Sequence, residues 1–266
     1  MTSAAAPVDA LDGVLVRTCH LLIDFDGPVC SLFAGMPTAS IAARLRTIIT
    51  RAGVALPPAI RITGNWFEIF AFAAITGPAL ARHVESELAA LESAAARTAA
   101  SNPDLAGVLL ACHDSGRQVA IVSNNSARAV YTYLDLHELT GQIGAVAART
   151  GHDPAILKPS PYLIWQAASE LGTVPSACAV IGDSPSDIAA ARSAQAHSIG
   201  YAATPAGTQQ LLAAGADTII TTMADLASRI RESYKLQSLP ATGINQTREP
   251  IQRTASRSPR PASPFW

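Results

Sequence analysis

Leu21-Leu22-Ile23-Asp24-Phe25-Asp26-Gly27 sets three large aliphatic residues directly before two acids and a glycine. An uninterrupted apolar run of this kind is what a parallel strand covered on both faces requires. Two carboxylates at its end fall where open α/β sheets place their ligand crevice, beyond the carboxyl ends of the strands. A single aspartate would be accounted for by Asx-type hydrogen bonding in an acidic turn, but a pair after three aliphatics is less well met that way. Further short apolar runs follow at 119–122, 145–147, 177–181, 198–200 and 218–220, most of them separated by helical patterning. That alternation predicts an α/β fold with a doubly wound parallel sheet.

The punctuation between the runs marks helices. Asn102-Pro103 reads as an N-cap followed by proline at the first helical position, with Gly116 as terminator, and a second helix is expected from Ser160-Pro161 to Gly172. Between the first strand and Val119 the chain is too long and too helical for a simple crossover, which predicts an inserted α-helical cap. Ile41, Leu45, Ile48 and Ile49 share one helical face there, and Leu80, Val84, Leu88, Leu91 and Ala95 share another. Gly53 can close the first of these helices, and Thr76-Gly77-Pro78 can open the second. Trp66, Phe67, Phe70 and Phe72 form an aromatic group expected to pack within the cap or between cap and core rather than to face a ligand. The expected organisation is a core of residues 11–33 and 112–233, a cap of 34–111, and a disordered tail of 234–266 rich in Ser, Thr, Pro and Arg.

Composition narrows the function. With 266 residues and 49% hydrophobic content the chain can bury a large core, and a formal net charge of -1 gives no field for nucleic acid or a membrane surface. No apolar run approaches the ~20 residues of a membrane span, and residues 1–7 read as a short loose leader without a signal pattern. Cys19, Cys30, Cys112 and Cys178 show no paired spacing, so neither a disulfide framework nor a zinc site is expected, and a reducing cytoplasm is the simplest location.

Three further elements accompany Asp24 and Asp26. Ser123-Asn124-Asn125 ends the second apolar run and offers a hydroxyl and backbone N–H groups, although Ser-Asn-Asn is also ordinary turn chemistry. Lys158 precedes a proline in a chain whose only other lysine is Lys235, so a compact ammonium is wanted at this point or codon bias has thinned the lysines. In Gly182-Asp183-Ser184-Pro185-Ser186-Asp187 a buried strand again ends in an acid, and a second acid follows where helix-start chemistry alone would also suit it. Four carboxylates in one crevice repel: two like charges about 4 Å apart cost roughly 4 kcal/mol at an effective dielectric near 20. Their all-oxygen chemistry calls for a hard cation, and Mg²⁺ suits it.

Asp24-Phe25-Asp26-Gly27, Ser123-Asn124, Lys158-Pro159 and Gly182 to Asp187 together resemble the four ordered motifs of the haloacid dehalogenase superfamily, over roughly residues 21–220. The insert is similar to the cap of the phosphoglycolate-phosphatase-like branch. The resemblance implies a Mg²⁺-dependent phosphohydrolase acting on a small phosphorylated metabolite, with Asp24 as nucleophile and Asp26 as general acid and base. It implies that Lys158, Ser123 and the N–H of Asn124 hold the phosphate oxygens. The metal would be held by Asp24, Asp183 and the backbone carbonyl of Asp26, with Asp187 anchoring it directly or through water.

Pro28 departs from the Thr or Val usual at that position in the family, so a changed loop geometry is expected. Asp26 argues against carbon–halogen cleavage, and a cap without lysine argues against Schiff-base phosphonate chemistry. A sugar-phosphate mutase on the same core stays open, as does a non-catalytic phosphate-binding regulator. Substrate choice is expected to rest on cap residues such as Arg61, Asn65, Trp66 and Arg82.

Overall fold

The computed structural model describes residues 10–238. In chain order its elements are α1 (Ala10–Arg17), β1 (His20–Ile23), β2 (Cys30–Ser31), α2 (Thr38–Arg51), α3 (Pro58–Ile62), α4 (Trp66–Thr76), α5 (Pro78–Ala96), β3 (Ala100–Ser101), α6 (Leu105–Asp114), β4 (Gln118–Ser126), α7 (Ala127–Leu136), β5 (Ala145–Arg149), α8 (Tyr162–Glu170), β6 (Cys178–Gly182), α9 (Pro185–Ala194), β7 (His197–Tyr201), α10 (Pro205–Ala214), β8 (Thr218–Ile220) and α11 (Met223–Ser238). Six strands pair in parallel in the order β5-β4-β1-β6-β7-β8, and each coincides with an apolar run of the sequence.

β1 lies at the point where strand order reverses, since Leu22 is the register partner of Ala120 on one side and of Val180 on the other. Its side chains alternate between two apolar layers. Leu21 and Ile23 join Val119 and Ile121 beneath α1, α6, α7 and α11, while Leu22 joins Ala120, Val122 and Val180 beneath α8 and α9. The second layer runs without a break into the helices between β2 and β3, through Ile41, Leu45, Phe70, Val84 and Leu88. A buried aliphatic of this size stabilises the fold by about 1.5–3 kcal/mol, so the shared layer docks the insert firmly on the sheet.

Gly53, at φ 76°, follows the end of α2, and Gly77 separates α4 from the proline that opens α5. The chain leaves the core through β2 and rejoins it through β3, two short strands paired antiparallel with Ser31 opposite Ala100.

Three expected boundaries differ. The helix expected to start at Asn102-Pro103 starts at Leu105, because the Asn102 carboxamide oxygen accepts from Asp104 N in a turn and Asp104 takes the cap position. The insert was expected to reach residue 111, but α6 buries Leu105, Val108, Leu109 and Cys112 in the layer shared with α11 and so belongs to the core. The tail was expected from residue 234, yet α11 continues to Ser238, with Met223, Leu226 and Ile230 fully buried. The rest of the expected tail and the expected leader lie outside the described residues. Among the described residues no helix is long and apolar enough to cross a membrane.

Candidate active site

All six strands point the same way, so the residues that follow β1, β4 and β6 meet at one edge of the sheet. Asp24 leaves β1 with its N–H donated to Ile181 O at 2.8 Å, which continues the ladder one step beyond the strand. Its Oδ1 accepts from Phe25 N at 2.7 Å and from the Lys158 ammonium at 2.7 Å. Lys158 also donates to Asp187 Oδ1 at 2.5 Å and to Val122 O at 3.0 Å, so all three of its donors are taken. For Asp187 Oδ1, among the described residues, this ion pair stands in place of any other hydrogen bond.

Asp187 plays a second part as the N3 residue of α9. Its Oδ2 accepts from Ser184 N at 3.0 Å and from Ser184 Oγ at 2.6 Å, which completes a capping box with Ser184. Asp187 therefore caps its helix through Oδ2 and pairs with Lys158 through Oδ1. It reaches the strand end because residue 182 is glycine: a Cβ there would lie 2.3 Å from the Asp187 side chain.

Asp24, Asp183 and Asp187 each offer an oxygen, all within 4.8 Å of one another. Asp26 is not among them through its side chain, since its Oδ1 accepts from Leu32 N at 2.8 Å. Residues 25–30 form a turn closed by Gly27 N to Cys30 O (2.7 Å) and Cys30 N to Phe25 O (3.1 Å). Neither bond uses the N–H that Pro28 lacks, so this turn accommodates proline without loss of a bond.

Electrostatics follow from the crowding. Burial raises the proton affinity of Asp24 well above the ordinary carboxyl range and Asp187 adds to it, while the Lys158 ammonium opposes both. Asp26 is also raised, first by burial and further by Glu92, against the opposing Leu32 N–H and Lys158. Asp183 is pushed up to about 7 by burial and by Asp187 and Asp26. Burial lowers the proton affinity of Lys158, but Asp187 and Asp24 outweigh it and carry it net upward, so the ammonium stays charged. An all-oxygen set of three carboxylates with one ammonium is a donor set that fits a hard divalent cation, whose charge would reverse the upward shifts.

A family model for haloacid dehalogenase-like hydrolases matches residues 22–195, which spans β1, the insert, Ser123, Lys158 and Asp187. The chain belongs to this family. A phosphoglycolate phosphatase of Salmonella typhimurium is 33% identical over 98 residues, covering 37% of this chain and 38% of that protein. The chain thus matches well under half the length of that relative. Among solved structures, a hydrolase of the family from Deinococcus radiodurans with bound phosphate and sodium is 25% identical at a TM-score of 0.53, over 82% of this chain and 97% of that one. CbbY from Rhodobacter sphaeroides in complex with phosphate is 21% identical at a TM-score of 0.57, over 79% and 96%. A predicted phosphatase from Clostridium acetobutylicum is 16% identical at a TM-score of 0.60, over 81% and 99%. These last two likenesses concern the fold.

In this hydrolase the second motif is bound up in its own loop. Ser123 is fully buried, and its hydroxyl donates to Asn125 Oδ1 and accepts from Asn125 N, each at 3.1 Å. The Asn124 side chain clamps the backbone of Lys158 from both sides, accepting from Lys158 N at 2.8 Å and donating to Lys158 O at 3.0 Å. Of the insert residues, Asn65 caps α4 by accepting from Phe67 N at 3.0 Å. Arg82 lines a surface hollow with Ala52, Gly77 and Pro78, in the first turns of α5, and Arg61 is exposed at the end of α3. Trp66 is half-buried with its ring 5.9 Å from the Arg149 guanidinium.

Two residues that sequence reasoning passed over stand beside this loop. Arg149 ends β5 and Glu92 lies on α5; both are buried, and Arg149 Nη2 donates to Glu92 Oε2 at 2.6 Å. A signal for each was present. Arg149 is a charge at the very end of a buried strand, one step short of the places Asp24 and Asp183 take on theirs, and Glu92 continues the four-residue spacing of Val84 and Leu88 on the apolar face of its helix.

Proposed function

We propose that this hydrolase is a Mg²⁺-dependent phosphatase that releases inorganic phosphate from a small phosphomonoester through an aspartyl-phosphate on Asp24. The observation that carries the reading is the paired grip on Lys158, whose ammonium joins the Asp24 nucleophile to Asp187 beside the three-carboxylate cluster. One oxygen of Asp24 would attack phosphorus in line while the bond from phosphorus to the leaving oxygen breaks. Asp26 would donate its proton to the departing alkoxide; its raised proton affinity keeps that proton available. Asp26 then takes a proton from the water that attacks the phosphorus of the intermediate, which frees Asp24 and phosphate.

Lys158 lowers the cost of negative charge at Asp24, and Ser123 and the N–H of Asn124 would bind phosphate oxygens, the Ser123 hydroxyl giving up its bond to Asn125 to do so. Asp24, Asp183 and Asp187, with the backbone carbonyl of Asp26, would hold Mg²⁺. When bound, the ion neutralises charge on the transferring group and lowers the proton affinity of its carboxylate ligands. The helices between β2 and β3 would serve as a cap over the carboxylates. Four free cysteines and the small net charge accord with a reducing compartment and a free metabolite as substrate.

The test is product analysis with Mg²⁺ over a panel that includes phosphoglycolate, glucose 1-phosphate and nucleoside monophosphates. Phosphate release on at least one compound, abolished in a folded Asp24→Asn protein, is the expected result. Isomer formation exceeding phosphate release would make the enzyme a mutase, and turnover by folded Asp24→Asn would remove Asp24 from the chemistry.

A further inference from the structure

Glu92 is a fully buried acid on a helix of the insert, yet most of its partners belong to the core. Its Oε2 accepts from Ser126 N at 2.8 Å and from Arg149 Nη2 at 2.6 Å. Its Oε1 accepts from Asn125 Nδ2 at 3.2 Å and from Arg149 Nη1 at 3.1 Å. Arg149 Nη1 also donates to Asn124 O at 2.8 Å. Residues 124, 125 and 126 are thus each bonded to one member of the pair, at the bulge where the β4–β5 register shifts between Ser123 and Ser126. A bulge leaves ladder groups unpaired, and here the pair supplies their partners.

The grip on Arg149 comes mainly from the insert. Besides Glu92, Glu85 Oε1 lies 3.4 Å from Arg149 Nε, and the rings of Trp66 and Phe70 lie 5.9 Å and 5.6 Å from the guanidinium carbon. Fixed on α4 and α5, these groups hold the fork in the orientation that reaches Asn124 O. The Asn124 side chain in turn brackets the backbone of Lys158, and Asn125 holds the Ser123 hydroxyl. An unbroken series of hydrogen bonds therefore leads from the insert to Ser123 and to the lysine that grips Asp24.

We propose that Glu92 and Arg149 are positioning residues that set the phosphate-binding loop and Lys158 only when the insert is docked, so that insert docking and catalytic geometry are one event. The inference deepens the phosphatase reading and rests on it for its kinetic arm. A pair needed only to join two layers would be served by apolar contact, which already runs continuously through Phe70, Val84 and Leu88.

Removing one member strands a buried charge, so the informative protein is the double variant Glu92→Gln/Arg149→Met, which removes both charges at similar volume. The carboxamide introduced by Glu92→Gln keeps one acceptor for Ser126 N, whereas the bond to Asn124 O is lost. With p-nitrophenyl phosphate and Mg²⁺ we expect kcat to fall about 100-fold, the scale of a 1 Å misplacement, with KM within about threefold of wild type. Amide hydrogen exchange at 124–126 and 158 should rise about tenfold or more while that of β6 is unchanged. Arg149→Lys, which keeps the charge but not the fork, should recover only part of kcat. Arg44→Ala, which breaks the exposed Arg44–Glu87 pair between α2 and α5, serves as control and should leave kcat unchanged. A folded double variant with wild-type kcat overturns the proposal, and so does exchange that rises equally everywhere. If the wild type hydrolyses no phosphomonoester the phosphatase reading falls, and the exchange pattern alone then decides the positioning role.

Discussion

At the scale of single residues, the site depends on where a side chain is missing as much as on where one is present. Gly27 has φ 112°, and a Cβ on it would lie 2.1 Å from Asp183 Oδ2. Alanine there must push Asp183 away or distort the turn that carries Asp26, and the backbone conformation itself is strained for a residue with a side chain. Gly27→Ala should lower kcat about 100-fold and cost about 1–3 kcal/mol, read by steady-state kinetics and urea denaturation. A variant as stable and active as wild type would show that Asp183 has room to move. Lys158→Ala should act on both properties as well. It leaves Asp24 and Asp187 facing each other in a buried place, so about 3–5 kcal/mol of stability and at least about a hundredfold in kcat should be lost. Unchanged urea midpoints would mean that solvent enters and shields the two acids.

At the scale of elements, what could be read in advance was what periodicity and strand ends encode. Six parallel strands were legible because strands covered on both faces show as plain apolar runs such as Leu21-Leu22-Ile23. Asp24, Asp183 and Asp187 were legible as a group because strand ends of a parallel sheet converge, whereas Lys158 was marked by the scarcity of lysine and by the family resemblance. The layer to which a helix belongs was not: α6 has the same amphipathic pattern whether it packs in the insert or against α11, and only its observed burial with α11 assigns it to the core. Nor did spacing reveal that Glu92 and Arg149 meet, since their contact joins elements far apart in the chain. The end of α11 escaped notice because its polar last turns resemble the composition that follows. Ile230 on that helix is fully buried in the layer shared with α1 and α6, so Ile230→Ala should cost about 2–5 kcal/mol in urea unfolding while leaving the rate constant of the folded enzyme intact. A loss of kcat without loss of stability would link α11 to the chemistry instead.

At the scale of the whole molecule, the acid cluster couples folding to pH and, on the phosphatase reading, to metal. Asp183 is raised from its ordinary 3.8 to about 7, and Asp24 and Asp26 are raised too. A carboxyl raised in the fold prefers to be protonated there, so its contribution to stability is full below about pH 4 and is lost as pH rises through about 7. Part of the Asp183 carboxylate meets solvent, which damps its share. In EDTA, therefore, this group of acids should lower Tm between pH 5 and pH 8, and millimolar Mg²⁺ should restore it at pH 8 with little effect at pH 5, as differential scanning calorimetry would record. A Mg²⁺ effect equal at both values would separate metal binding from these carboxyls. The small antiparallel ribbon β2–β3 acts on the same scale. Because Ser31 and Ala100 are register partners, everything threaded between them starts and finishes on one rung. Closing a longer or shorter excursion on that rung changes the entropy by only about 0.6 kcal/mol per doubling of length. The ribbon is thus a socket: it holds the two ends of the insert together, so the sheet keeps its register where the chain leaves and returns. On the positioning proposal, what the socket asks of its insert is an acid delivered to Arg149, as Glu92 is here.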